Sequence, residues 1–114
     1  IRDSIVNFPA TMAFFGNNNN DIINYIDNKI AGSMEWKYLR ELGVEGKIYV
    51  RLLIDVNGKI REVTFLKFSV KELEMLKETL NKALFAMPLW SPAKDEKGTV
   101  VVSEYTLPVR VSFK

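Results

Sequence analysis

Three groups of acidic residues are the places where this chain could build carboxylate chemistry: Asp55 in Asp55-Val56-Asn57-Gly58, Glu72 with Glu74, and Asp95 with Glu96. Asp55 and Asn57 have the spacing that opens a calcium loop, but the later acidic ligands of such a loop are missing, so a hairpin turn is the better reading. General acid–base work needs two carboxylates facing each other across a substrate cleft. The other two groups are sequence neighbours instead, and read as charges that keep a surface soluble. Histidine and cysteine are both absent. Without them there is no Ser-His-Asp or Cys-His nucleophile, no HExxH metal site and no structural zinc site of the usual ligands. The expectation is a non-enzyme with no catalytic residue, metal ligand or cofactor.

Lys67, Lys71, Lys77 and Lys82 would suggest a basic stripe, but Glu72, Glu74 and Glu78 interleave them and Glu78 with Lys82 is a favourable i, i+4 pair. A solvated helix face follows. Lys and Arg number 16 against 14 acidic residues, and a net charge of +2 points neither to nucleic acid nor to an acidic membrane. No apolar run approaches the roughly 20 residues that span a bilayer. The chain starts at Ile1 with neither a methionine nor a signal-peptide pattern, so a fragment or a mature form is expected. Absence of cysteine leaves the redox compartment open.

The elements that must position any site are mostly legible. Gly16 to Asn20 reads as a loop, and from Asp21 the residues Ile22, Ile23, Ile26 and Ile30 recur near a 3.6 period, giving a short helix that ends near Gly32. Asp21 or Asn20 is available to cap its first amides. A second short helix, 35–42, places Trp36, Leu39 and Leu42 on one side and stops at Gly43, suited to a left-handed cap. Ile48, Val50, Leu52, Ile54 and Val56 alternate with Tyr49, Arg51, Leu53 and Asp55, the clearest strand. Asn57-Gly58 tolerates positive φ at both positions of a tight turn into a strand at 60–68, where Ile60, Val63 and Phe65 share a face only if a bulge falls near Arg61 or Glu62. Ser69-Val70-Lys71-Glu72 is a capping-box pattern, opening a helix whose buried stripe is Leu73, Leu76, Leu80, Leu84 and Met87 and which Pro88 ends.

Residues 100–113 alternate again, with Val101, Tyr105, Leu107, Val109, Val111 and Phe113 on one face and Thr106, Pro108, Arg110 and Ser112 on the other. Pro108 has no amide hydrogen and belongs at an edge or a bulge. Strand, hairpin, strand, helix, strand gives an α+β fold: a three-stranded sheet in the order 2-1-3, packed on the helix between strands 2 and 3, with the short N-terminal helices covering the remaining apolar surface. A single domain, 1–114, is expected, with a helical extension at 1–42 and a core at 43–114. Trp90, between Pro88 and Pro92, reads as a plug where the helix hands over to the last strand rather than as an exposed ligand anchor. The other edge of the last strand is open. Pro108 and Arg110 either blunt it or leave it to accept a peptide by strand addition.

Several strings in this order resemble the C-terminal domain of TonB-type energy transducers, most closely the Bacteroidetes version. They are Gly46-Lys47-Ile48-Tyr49-Val50, Ile54-Asp55-Val56-Asn57-Gly58-Lys59-Ile60, the amphipathic helix, Met87-Pro88-Leu89-Trp90-Ser91-Pro92-Ala93 and Tyr105-Thr106-Leu107-Pro108-Val109-Arg110-Val111. The match covers residues 43–113, with a weaker echo at Phe8-Pro9. The resemblance implies a periplasmic module that binds the TonB box of an outer-membrane receptor as a strand added beside its last strand. By position it assigns that role to Val102, Glu104, Thr106, Pro108 and Arg110. It also implies an anchoring helix and linker before Ile1, and an ExbB-ExbD complex that couples the proton gradient to nutrient import. Two departures stand out: Ala10-Thr11 follows Phe8-Pro9 where the family usually has Gly-Gly, and Ser33-Met34 stands where a Tyr-Pro that helps hold the partner peptide would be. The alternative is a structural or regulatory domain of a sensor peptidase or stand-alone exported protein, using the same edge to form a homodimer.

Overall fold

Alternation of aliphatic and polar residues makes Gly46–Ile54 the strand around which the rest is built, with Ile48, Val50, Leu52 and Ile54 fully buried on one side. The computed structural model of the chain describes residues 5–6, 9–17 and 19–113. Its elements are β1 (Ile5–Val6), α1 (Asn19–Ile30), α2 (Met34–Leu42), β2 (Gly46–Ile54), β3 (Ile60–Phe68), a 3-10 helix (Lys71–Leu76), α3 (Lys77–Phe85), β4 (Ala93–Lys94) and β5 (Val100–Val111). The fold is α+β. β2 is antiparallel to both β3 and β5, which is the expected 2-1-3 order. Two short strands extend it: β1 pairs with β5 in parallel, giving the order β1-β5-β2-β3, and β4 pairs with β5 off that path.

The helices lie on one face of this sheet, α3 against β3, α1 against α3, and α2 against the 3-10 helix. Ile22, Ile26, Ile30, Leu39, Leu73, Leu76, Leu80 and Leu84 from these helices meet the inward side chains of β2 and β5 in one core. Ile23 is exposed, and so is Leu42, which the spacing had placed beside Leu39. Twelve residues make β5 the longest strand. At about 3.4 Å per residue it is roughly 40 Å long.

Several local expectations change. The segment after Ser69 is not capped by it: the Ser69 hydroxyl accepts the Lys47 amide at 2.8 Å and the Ser69 amide donates to the Lys47 carbonyl at 2.9 Å, so this residue extends the sheet ladder instead. The helix then begins as a 3-10 turn with Val70 at its N-cap and no side-chain cap. Leu73 and Leu76 are three apart, and residues so spaced eclipse in a 3-10 helix. Leu76, Leu80 and Leu84, four apart, suit the α-helix that follows. Asp21 does not cap α1 but accepts the amide of Asn17 at 2.7 Å, closing the loop before the helix. α1 already begins at Asn19, inside the predicted loop. α2 is capped by Ser33, whose hydroxyl accepts the Trp36 amide at 3.1 Å, and ends at Gly43 with φ of +71°. Phe8, half of the weaker motif echo, lies outside the described residues.

The hairpin also differs. Asn57 is not at positive φ; only Gly58 is, at +83°. Asp55 leads a type I turn closed by the Gly58 amide on the Asp55 carbonyl, and its own amide donates to Lys59. Val56, expected as a fifth inward aliphatic, is 41% exposed in that turn. The predicted bulge falls at Arg61, between the pairs Leu53–Glu62 and Ile54–Ile60, and a second one falls at Leu66.

Candidate functional site: the outer edge of the last strand

β5 alternates as predicted. Ser103, Leu107, Val109 and Val111 are buried, while Thr106, Pro108 and Arg110 are exposed and Val102 and Glu104 half-buried. All five sequence-assigned residues therefore share the solvent face of the sheet. Opposite them on β2 stand Lys47 for Arg110, Tyr49 for Pro108, Arg51 for Thr106 and Leu53 for Glu104. The β2–β5 pairing runs through Pro108 without a register shift. Residues of an antiparallel strand turn their amides and carbonyls alternately toward and away from the neighbour. A proline is accommodated where its missing donor faces away. The backbone groups of Glu104, Thr106, Pro108 and Arg110 are thus directed to the outer edge; the Glu104 amide faces the end of β1, so among the described residues the free donors are those of Thr106 and Arg110.

One correction applies to this edge: it is not open from end to end. β1 pairs with Val102 and Ser103. Among the described residues the stretch 104–111 has no strand on that side. Its far end is anchored by Glu45, whose carboxylate accepts the Phe113 amide at 3.0 Å. Arg51, Leu53, Glu62, Thr64 and Glu104 line a shallow polar hollow of about 150 Å³ on the same face. The opposite edge of the sheet, β3, carries the two bulges at Arg61 and Leu66, a device that blunts strand addition. Beside it Val63, Phe65, Met75, Glu74 and Glu78 line an open groove of about 510 Å³.

The junction that sets the start of β5 is a packed unit. Trp90 is 3% exposed, with ring centroids 5.1 Å from Tyr105 and 5.7 Å from Phe15. It is the plug that the sequence suggested. The Trp90 amide donates to the Gly58 carbonyl at 2.7 Å, and a Cβ at Gly58 would overlap the Trp90 carbonyl. Thr11 pairs with Lys94 and Phe14 with Ser91, lashing the N-terminal segment to the same place.

Asp55 holds the neighbouring turn. One carboxylate oxygen accepts the amides of Asn57 and Lys59, both at 2.9 Å, and the other accepts Arg61 Nε at 2.7 Å. Burial alone would push this carboxyl up, but the Arg61 hydrogen bond and the two amides outweigh it and hold the carboxyl below its ordinary value. Asp95 repeats the motif: it accepts the Lys97 amide at 2.9 Å and the Thr99 amide at 3.0 Å, before Gly98 at φ of +81°. It is a turn residue and not a solubility charge. The pattern Asp-x-x-Gly, shared by 55–58 and 95–98, is the sequence signal common to both turns. The pair Glu78–Lys82, 3.4 Å apart, lies in solvent as expected. No group of three or more metal-ligating side chains occurs among the described residues, and no helix among them is long and apolar enough to cross a membrane.

Comparison with solved structures gives the fold a counterpart. Two solution structures of the Helicobacter pylori TonB C-terminal domain superpose on this chain. One has a TM-score of 0.55 at 20% identity, covering 85% of this chain and 96% of that one. A longer form has a TM-score of 0.54 at 19% identity, covering 87% and 86%. The fold is that of TonB C-terminal domains. No protein-family model matches the sequence, and no curated protein matches it.

Proposed function

We propose that this chain is the periplasmic partner-binding domain of a TonB-like energy transducer, most similar to the Bacteroidetes type. It takes the TonB box of an outer-membrane receptor as an added strand along residues 104–111. Affinity comes from the outward backbone groups of Glu104, Thr106, Pro108 and Arg110, and selectivity from their side chains with Val102. The domain catalyses nothing and needs no cofactor. Force reaches it through an N-terminal anchor in the inner membrane, driven by an ExbB-ExbD complex, and is passed to the receptor for nutrient import.

The observation that carries this reading is the asymmetry of the two sheet edges. β3 is broken by bulges, whereas 104–111 is regular and has no strand on its outer side among the described residues. Ser33, standing where the family has Tyr-Pro, serves as a helix cap, so the grip on the partner rests more heavily on the strand edge. Calorimetric titration with N-terminal peptides of outer-membrane receptors tests the reading. Binding to the wild-type chain that is lost in Thr106→Pro, which removes an outward donor, supports it. Equal binding to both refutes it. A concentration-dependent dimer that binds no peptide would instead favour the self-associating structural domain.

A further inference from the structure

The part of the β5 edge that is already covered is covered by the chain itself. Ile5 stands opposite Val102 and Val6 opposite Ser103 in a parallel pairing. A partner strand lying along the whole assigned row from Val102 to Arg110 would need the place that β1 holds. We propose that β1 is an intramolecular competitor for this edge, seated at its first residues and displaced when a partner strand extends over Val102. This rests on the reading of β5 as the partner site.

Both the presence and the weakness of β1 follow from its surroundings. The chain that follows is fixed close by, through Thr11 to Lys94 at 2.9 Å in both directions and Phe14 to Ser91 at 3.0 and 2.8 Å. That tether keeps the local concentration of β1 high, in the way a short linker does. Among the described residues the strand pairs at two positions, and each backbone hydrogen bond adds little net stability. Pro9 has no amide to extend the ladder. A longer partner strand, which can pair along 104–111 before it meets β1, therefore has the larger number of bonds to gain.

The test uses the full chain carrying Ile5→Pro/Val6→Pro, which removes both amide donors of β1. Ile5→Gly/Val6→Gly serves as a second variant if the prolines lower the melting temperature. Amide exchange at Val102 and Glu104, whose backbone groups face β1, should become about tenfold faster, the loss of one or two net hydrogen bonds. A synthetic peptide of residues 1–7 should then bind the variant at those amides, at least about fivefold more tightly than it binds the wild-type chain. A receptor peptide that binds the wild type should bind the variant more tightly by a similar factor. Unchanged exchange overturns the proposal. So does faster exchange with no gain for a receptor peptide that binds. If receptor peptides bind neither form, the β5 reading fails on its own, and the peptide of residues 1–7 decides the role of β1: tighter binding to the variant upholds it and equal binding overturns it.

Discussion

Asp55→Ala removes the acceptor that organises the β2–β3 turn, and its cost can be worked from three contacts. The side chain accepts two backbone amides at 2.9 Å and Arg61 at 2.7 Å, in a residue only 5% exposed. The amides belong to turn residues that water can partly reach, so each counts for about 1 kcal/mol, the ordinary net value. The Arg61 side chain is 65% exposed, and its pairing counts for about 0.5 kcal/mol. The sum, about 2–3 kcal/mol, should lower the melting temperature of a domain this size by roughly 10 °C. Urea unfolding followed by tryptophan fluorescence reads it directly.

The same site has a pH signature. Its folded pKa is depressed, so its stabilisation is complete above the unfolded value of about 3.9 and is lost as pH falls from there through the lower folded value. Asp55→Asn, which cannot titrate, should therefore be less stable than wild type at pH 7, and the gap should close as pH falls below about 4. A gap that stays constant from neutral to strongly acid pH, or a cost for Asp55→Ala below about 0.5 kcal/mol, refutes the reasoning.

Other outcomes follow from the junction and the ladder. Trp90→Ala should cost about 3–5 kcal/mol in urea unfolding, because it empties the space between Phe15 and Tyr105. Gly58→Ala should destabilise more than Gly98→Ala: both are at positive φ, but only at Gly58 does an added methyl collide with the Trp90 backbone. Equal melting temperatures for these two would show that the turn is free of Trp90. Ser69→Ala should cost about 1 kcal/mol and speed amide exchange at Lys47, its hydrogen-bond partner, rather than at the start of the following helix.

Long periodic segments were legible in the sequence and short or tertiary ones were not. The alternation of Ile48 to Ile54 and of Tyr105 to Val111, and the stripe from Leu73 to Leu84, locate two strands and a helix in their correct order. The described pairings of β1 and β4 cover two residues each, too short to carry a period: β4 meets β5 at Val100 and Val101, beyond the β2 pairing, and β1 takes the outer edge at Val102 and Ser103. Ser69-x-x-Glu72 satisfies a capping rule, yet the Lys47 amide, 22 positions away in the chain, takes the hydroxyl. Local rules are blind to such a competitor. The candidate edge divides in the same way: the face on which Val102, Glu104, Thr106, Pro108 and Arg110 stand was readable from period two, whereas the occupant of Val102 was not.

Partner strands should add along 104–111, and an amide-resolved NMR titration of the wild-type chain with receptor N-terminal peptides reads this residue by residue. Saturable shifts and slowed exchange at Thr106 and Arg110, whose amides the sheet register turns outward beyond β1, are the predicted result. Shifts that instead map to the groove of Val63, Phe65 and Met75, with the Thr106 and Arg110 amides unaffected, would overturn strand addition at this edge.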